Sequence, residues 1–487
     1  MDTNLSKYLQ YSQNHINSGE IAQPDATGTS SVFSCGGHIK FTARITGNII
    51  SDIKFRASGC DYINAAAGYL TTLTKNRDIL DSTLITEKDI EDYPGEFPEG
   101  KKHIPGMAIA AFQNLITDYI SKPHAKNIYK KNNNRVAVAL SGGIDSAMAA
   151  RILKDEGMDL IGVTMKLLPD NTGWKDSNGM YQVNSDIKDA RMVSLKLKIP
   201  HIVIDLTELF EEKIIEPFCS EYSKGRTPNP CVECNRYIKF GALLDKVKML
   251  GAEYLATGHY CRIGKSEVSG LYEIKKGIDP EKDQSYVLWK LDQDTISHIK
   301  TPVGSLHKNR IKEEVKKVFP FLKDKSESQD ICFIQESSYH AFIKSKIKNI
   351  KEGPILDTGG KVIGTHKGYI FYTIGQRKGL GISHTKPLYV KEIIPEKNVI
   401  IAGEETDIIR KSFNVSDINF IAGEPPADTF KAMVKIRYNS REAPATIKLT
   451  GKSSANITFD EPRSAITPGQ SAVFYNGEIL IGGGIII

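Results

Sequence analysis

The 487-residue chain has little of what would place it outside the cell or in a membrane. It carries seven cysteines and two tryptophans. So few thiols in so long a chain exclude the disulfide scaffold of small secreted domains, and their spacing is better searched for metal or redox chemistry. No apolar run approaches the roughly 18 residues that suggest a membrane span, and the opening MDTNLSKYLQ lacks a basic region followed by an apolar one. The expected location is the cytoplasm, with no membrane partner. No GxxxxGK[ST] string occurs, which disfavours an ordinary Walker-type ATPase. There is no internal repeat.

What is present fits a soluble globular protein: 40% of the residues are hydrophobic and 25% charged. The length predicts about three domains. The net charge of +6 is unevenly spread, because residues 1–120 hold 10 Lys and Arg against 14 Asp and Glu, leaving 54 against 44 for the remainder. A basic excess confined downstream fits a polyanionic partner, although scattered lysines also make an ordinary solvated surface.

The most informative stretch is Val136–Leu140 followed by Ser141-Gly142-Gly143-Ile144-Asp145-Ser146. The apolar run predicts a buried strand, and Met148, Ala149, Ile152 and Leu153 fall at helical spacing up to a stop at Gly157. Two glycines let the backbone turn tightly and approach an anion, and the helix N-terminus behind them offers unpaired N–H groups. Ser141 and Ser146 add hydroxyl donors, and Asp145 can hold a magnesium ion against phosphates. By itself the pattern also suits a plain turn.

The rest of the chain divides by pattern. Residues 1–122 begin with a polar lead and predict strands at 38–43 and 49–55, a Gly59-Cys60 turn, an Ala-rich helix and a second helix after Pro105. Residues 123–134, PHAKNIYKKNNN, predict a linker. Between 135 and 350 strands (159–166, 201–206, 253–257) alternate with helices (185–198, 239–250), and helical charged sequence runs from 292 to 318. This predicts an α/β doubly wound parallel sheet, with ligands beyond the carboxyl ends of its strands. Two small β-rich domains follow, 351–408 and 409–487, the last a β-barrel; Asn476-Gly477 between Val473–Tyr475 and Ile479–Ile481 is a hairpin signal.

Sulfur chemistry enters at Gly225–Phe240, where a Pro-Asn-Pro turn precedes Cys231-Val232-Glu233-Cys234 and the start of an amphipathic helix. Thiols at a helix N-terminus are favoured as thiolates, which are nucleophiles and metal ligands. Cys332 is a third candidate. A redox disulfide or a zinc site remains open at this point, though structural zinc demands four ligands. Cys219 and Cys261 have no motif partner and are expected to be bystanders.

Three resemblances follow from these strings. SCGG at 34–37, ASGC at 57–60 and KKH at 101–103 make residues 1–122 similar to the NifU/IscU-type iron-sulfur scaffold domain. Cys35, Cys60 and His103 match family ligands, whereas Gly37 and Ile104 stand where the family has an aspartate and its third cysteine. A second, three-ligand metal site is one implication; a docking module without metal is the other. SGGIDS resembles the PP-loop ATP pyrophosphatases, which implies adenylation with release of pyrophosphate. GRTPNPxxxCNxxIKF, ATGHY at 256–260, KDQSY at 282–286, ICFI at 331–334, YTIGQRKGLGI at 372–382, IRY at 436–438 and PGQSAVFYNGE at 468–478 together resemble the bacterial tRNA-uridine 2-sulfurtransferases, from about residue 135 to the C-terminus.

That last resemblance implies an enzyme that replaces the 2-oxygen of a wobble uridine in tRNA with sulfur. It assigns ATP and Mg²⁺ to Ser141, Gly142, Gly143, Asp145 and Ser146, with Met165 beside the nucleotide and Gly258 closing on it. It makes Cys234 the nucleophilic cysteine and Cys332 the persulfide carrier, puts Asn229 near the target base, and gives tRNA contacts to His259, Lys282, Asp283, Gln284, Arg437, Tyr438 and Gln470. Cys231 departs from the pattern, standing where the family has aspartate. With Cys234 and Cys332 it completes the three thiolates that hold a [4Fe-4S] cluster with one iron open. The alternatives are a Cys332 persulfide acting with Cys234, a different PP-loop enzyme such as an amide-forming synthetase, and a non-enzymatic iron-sulfur carrier that binds RNA. The N-terminal domain is expected to dock a sulfur donor such as a cysteine desulfurase. The oligomeric state is not legible.

Overall fold

The computed structural model describes residues 16–32, 36–92, 97–122, 128–169, 182–325, 331–334 and 339–487. They form two compact units, one from residues 1–207, 243–258 and 311–325, the other from residues 208–242, 259–310 and 326–487. The span 135–350 therefore contributes to both.

The first unit opens with an antiparallel sheet of β1 (Ala26–Val32), β2 (Gly37–Thr46) and β3 (Ile49–Ser58). Alternation in β2 and β3 turns Ile39, Phe41, Ala43, Ile53 and Phe55 inward, and the directly opposed Phe41 and Phe55 pack their rings 6.5 Å apart. Helices α1 (Asp61–Thr74) and α2 (Ile104–Ser121) cover this sheet with long apolar faces. Strand β1 is hidden in the sequence because ATGTSSV is small and polar. The small residues are required by α2: a Cβ on Gly28 would lie 2.2 Å from the carbonyl oxygen of Ala111 and the nitrogen of Leu115.

The same unit contains four parallel strands in the order β7 (Ala252–Ala256), β4 (Asn132–Ala139), β5 (Asp159–Lys166) and β6 (His201–Asp205). Val136, Ala137, Val138, Leu160, Ile161 and Val163 are buried, as the apolar runs predict. Helices α3 (Ile144–Asp155) and α4 (Gln182–Leu197) pack on the sheet.

The expected linker is shorter than its composition implies. Residues 123–127 lie outside the described residues, and β4 starts at Asn132, whose amide donates to Asp159 at 3.0 Å and whose backbone N–H donates to Gly251. Just before it, the Tyr129 hydroxyl donates to Asp78 at 2.6 Å and accepts from the backbone N–H of Leu80 at 3.2 Å. Helix α2 lies against β6. Lys246 donates to the carbonyls of Ile120 and Ser121 at 3.0 Å and of Lys122 at 3.4 Å, satisfying groups that a helix end leaves unpaired. The backbone N–H of His201 donates to Thr83 at 3.1 Å, and Arg191 donates to the carbonyl of Ile85 at 3.2 Å. The scaffold-like domain is thus built into the edge of the parallel sheet.

In the second unit, the helix expected at 239–250 begins earlier and wider, as a one-turn α-helix Pro230–Glu233 running into a π-helix Cys234–Leu243. Apolar spacing alone does not distinguish the two helix types. The continuous helical stretch expected from 292 to 318 is interrupted: only Gln293–Ser297 and Lys308–Val318 are α-helical, with Pro302 opening a short 3₁₀ turn between them. A four-stranded sheet covers 353–403. Six strands between Ile409 and Ile486 close into a barrel, because the first pairs with both the fourth and the last. Its core includes Val415, Val434, Ile447, Ile457, Phe459 and Phe474. Gly477 takes a positive φ of 57° in the predicted Asn-Gly hairpin, with Asn476 paired to Ile479. The hairpin Cys261–Lys265 and Tyr272–Lys276 extends the barrel sheet through Ile479 and Lys275, a join between distant segments that local pattern does not reveal. Among the described residues no helix is long and apolar enough to cross a membrane.

Candidate phosphate loop and thiol site

The loop after β4 has the geometry expected of a phosphate cradle. Gly142 has a φ of +73°, and Gly143 caps α3 without a side-chain hydrogen bond of its own, leaving the first N–H groups of the helix for a ligand. Ser146 is buried and ties the turn together: its hydroxyl accepts from the backbone N–H of Ser141 at 3.1 Å, donates to the carbonyl of Gly143 at 3.0 Å, and lies 3.2 Å from the Ser141 hydroxyl. Asp145 is half-buried in the first turn of α3. Gly258 approaches this helix so closely that a Cβ there would lie 2.8 Å from the nitrogen of Ser146 and 2.9 Å from Asp145. Met165 is half-buried near the carboxyl end of β5. The phosphate-loop residues read from the sequence are thereby gathered at one place, and α4 backs them, since a Cβ on Gly142 would lie 2.6 Å from the carbonyl oxygen of Asp186.

The thiol site is held by a clasp from the barrel end of the second unit. Gln470 donates to the carbonyls of Thr227 at 2.9 Å and Pro228 at 3.4 Å, and the backbone N–H of Thr227 donates to Pro468 at 2.9 Å. A Cβ on Gly469 would collide with the Thr227 backbone, so glycine is needed for this approach. Asn229 then caps the one-turn helix by accepting from the N–H of Cys231 at 3.2 Å. Glu233, inside the CxxC spacing, pairs with Lys290 at 2.5 Å, and Lys290 also pairs with Asp417 at 2.6 Å. Asn235 donates to the carbonyl of Val287 at 3.2 Å. Neither the Glu233 anchor nor the Gln470 clasp was expected from the motifs; the strings containing them were the only signal.

Cys231 and Cys332 each reach the surface, and Cys234 is buried. Phe333, next to Cys332, is fixed by edge-on contacts to Phe210 and Phe218 at 5.6 and 5.3 Å. The packed surroundings raise all three thiols: Cys231 upward, Cys234 to about 11 and Cys332 to about 12. Desolvation by the surrounding protein is the main cause, at Cys234 through burial and at Cys231 and Cys332 through crowding of side chains that still reach the surface. Negative charge on Cys231 opposes ionisation of Cys234, charge on both opposes ionisation of Cys332, and Lys239 partly offsets this at each. The thiolates expected at a helix N-terminus are therefore not favoured in the free protein. A single-turn helix carries little dipole, and desolvation outweighs it.

These three thiols feel one another's charge, which brings together the cysteines that the sequence separates by about a hundred residues. Among the described residues, no three His, Cys, Asp or Glu side chains are gathered so that one metal ion could bind them. A tetrahedral zinc would draw its sulfurs to about 3.8 Å of one another. A cluster asks less of the protein, because each cysteine binds a different iron. Three cysteine sulfurs are a soft donor set of the kind that iron-sulfur clusters take. Cys219 is half-buried, and burial pushes it upward; Cys261 is buried and pushed to about 12. Neither belongs to the CxxC segment or lies beside Cys332 in the sequence.

The residues expected to touch RNA divide into two kinds. Arg437 spends its guanidinium on the carbonyls of Ile374 and Ala465 and the hydroxyl of Thr467, at 3.2, 2.6 and 2.6 Å. Asp283 is buried and accepts from Gly277 and from the N–H and hydroxyl of Ser285. Gln284 accepts from the N–H of Tyr260 at 3.0 Å. His259 is buried beside Phe240, and burial, with Lys239, holds its pKa well below the usual histidine range. Lys282 is half-buried in the adjoining turn. Tyr438, by contrast, joins an aromatic and cationic group: its ring lies 6.0 Å from that of Tyr286, with Lys435 5.5 Å above Tyr438 and 5.8 Å above Tyr286. Tyr286 is linked to Asn229 and donates to Ser471 at 2.9 Å, so this group adjoins the cap of Cys231. In the first unit, Cys60 is half-buried at the start of α1 and His103 precedes α2; Cys35 lies outside the described residues.

The parallel sheet with its anion loop, followed by a small β domain and a closed barrel, defines a multidomain nucleotide-dependent enzyme. Family models agree segment by segment: the tRNA methyl transferase HUP domain over residues 134–336, the tRNA methyl transferase PRC-barrel domain over 340–404, the aminomethyltransferase beta-barrel domain over 410–486, and the NifU-like N terminal domain over 5–126. The chain belongs to the tRNA-specific 2-thiouridylases, an enzyme family. It is 42% identical over 355 residues to tRNA-specific 2-thiouridylase MnmA of Clostridioides difficile, covering 73% of this chain and 98% of that protein, and 47% identical over 356 residues to MnmA 1 of Caldanaerobacter subterraneus, with the same shares. Among solved structures it is similar to the U34-tRNA thiolase NcsA from Methanococcus maripaludis with its [4Fe-4S] cluster, at 16% identity and a TM-score of 0.26 over 44% of this chain and 64% of that one.

Proposed function

We propose that this chain is an ATP-dependent tRNA 2-thiolation enzyme whose thiol site is built for a [4Fe-4S] cluster on Cys231, Cys234 and Cys332. The observation that carries the cluster is the third thiol: Cys231 shares an electrostatic environment with Cys234 and Cys332. In the proposed reaction the helix N-terminus and the Ser141–Ser146 loop hold the ATP phosphates, with Mg²⁺ beside Asp145. The 2-oxygen of the wobble uridine attacks the α-phosphorus, an O–P bond forms and pyrophosphate leaves. A sulfur nucleophile then bonds to carbon 2, and AMP departs with the former oxygen. Met165 and Gly258 bound the nucleotide. A cluster on three cysteines supplies one iron free of protein thiolate, where inorganic sulfide can be held.

The chain's own contribution to the sulfur step is positional. Asn229, Gln470 and Glu233 fix the turn that presents Cys231 and Cys234, and Tyr438 with Lys435, backed by the buried Tyr286, offers a stacking and cationic surface for an extruded base. Arg437, Asp283, Gln284 and His259 act on RNA through the elements they brace, and Lys282 adds positive charge nearby. Exposure of Cys332 favours a second reading, in which it carries a persulfide and works with Cys234 without iron. The N-terminal domain receives a cysteine desulfurase or another sulfur donor. Anaerobic purification followed by iron and sulfide assay separates the readings: active protein free of iron and of charge-transfer absorption leaves only the persulfide route. Loss of thiolation in Asp145→Ala with iron retained supports an enzyme over an RNA-binding iron-sulfur carrier.

A further inference from the structure

Lys325 has no place in the motifs or in the reaction above. Its ammonium lies 2.8 Å from Asp186 and 2.5 Å from Asp189, two carboxylates one turn apart on the same face of α4. Its backbone is fixed by a hydrogen bond to the carbonyl of Leu322, beside the buried Phe319 and Leu322. The lysine side chain is about three-quarters covered, with 26% exposed. Asp186 is also the residue whose backbone abuts Gly142, so closely that a Cβ on Gly142 would lie 2.6 Å from its carbonyl oxygen and 2.9 Å from its Cα.

Two carboxylates against one ammonium leave net negative charge on the helix that backs an anion loop. Removing the ammonium would leave two partly buried carboxylates unpaired on the helix that backs the phosphate loop, where charges are weakly screened. We infer that Lys325 is a positioning residue for ATP: by pairing with both Asp186 and Asp189 it cancels one of their two charges, holds α4 against Gly142 and keeps the phosphate loop receptive to an anion. The inference rests on the reading of Ser141–Ser146 as the ATP loop.

The test is tRNA-dependent pyrophosphate release at varied ATP. Lys325→Met is expected to raise KM for ATP about tenfold with kcat within twofold, Lys325→Arg to stay within threefold of the parent, and Lys325→Met/Asp186→Asn/Asp189→Asn to recover to within threefold, because the repelling carboxylates are gone. A merely structural lysine would lower the melting temperature and leave KM for ATP unchanged. An unchanged KM in Lys325→Met overturns the inference, as does a triple variant no better than the single. If the single variant does not fold, the triple variant decides, and a tenfold raised KM in it counts against the inference. Absence of ATP-dependent pyrophosphate release by the parent chain with tRNA would instead refute the adenylation reading.

Discussion

Two cysteine sites in one chain differ in how complete their ligand sets are. The scaffold-like domain has Cys35, Cys60 and His103 but Gly37 and Ile104 where the resemblance implies an aspartate and a cysteine, and its helix α2 is committed to the edge of the parallel sheet. The thiol site in the second unit instead has Cys231 beside Cys234, set by the Asn229 cap and the Glu233–Lys290–Asp417 ion pairs. A metal site depends on a few ligands, whereas a docking surface is spread over many contacts and tolerates single changes better. The first domain is read as retained for attachment and the second site as equipped for sulfur.

The largest effects should separate the two sites. Cys234→Ser and Cys332→Ser are each expected to lower tRNA thiolation on the order of 1000-fold, while Cys60→Ser stays within about twofold; nucleoside mass spectrometry of the treated tRNA reads both. A Cys60 effect as large as that of Cys234 would restore a chemical role to the scaffold-like domain. A shortened chain beginning at Ile128 tests attachment. It leaves Lys246 without three carbonyl acceptors and His201 without its Thr83 acceptor, and should melt on the order of 5 °C lower. With a desulfurase as sulfur source its thiolation should fall about tenfold; full activity with that donor would dismiss the docking role.

A smaller effect probes the free thiols. With Cys234 near 11 and Cys332 near 12, both above the usual thiol value of about 8.5, the sign is clear: they stay protonated and slow to alkylate through neutral pH. Their reactivity should rise about tenfold per pH unit up to pH 10, which iodoacetamide labelling with peptide mass spectrometry measures. Rapid, pH-flat labelling at pH 7 would show thiolates already formed and weaken the case that a cationic group is needed.

Much of this was legible in the residues. Val136–Leu140 before two glycines specifies strand, turn and helix, and Asn476-Gly477 specifies its hairpin, because each depends on neighbours in the chain. Strand β1 was not, since its small polar residues answer to α2 far downstream. Nor was the π-helix from Cys234, whose apolar spacing also suits an α-helix. Arg437 and Gln470 look like RNA contacts in the sequence, and in the fold their side chains hydrogen-bond to backbone carbonyls of the protein itself. The raised thiols depend on burial by residues scattered over the unit, which no local motif encodes.

The account is tested most directly by iron and acid-labile sulfide in anaerobically purified protein and its Cys231→Asp variant, which carries the aspartate of the related sulfurtransferases. About four irons per chain in the parent and fewer than about one in the variant, with thiolation lost in parallel, are expected for a cluster on three cysteines. Fully active parent protein without iron, or a variant that keeps both iron and activity, would contradict it.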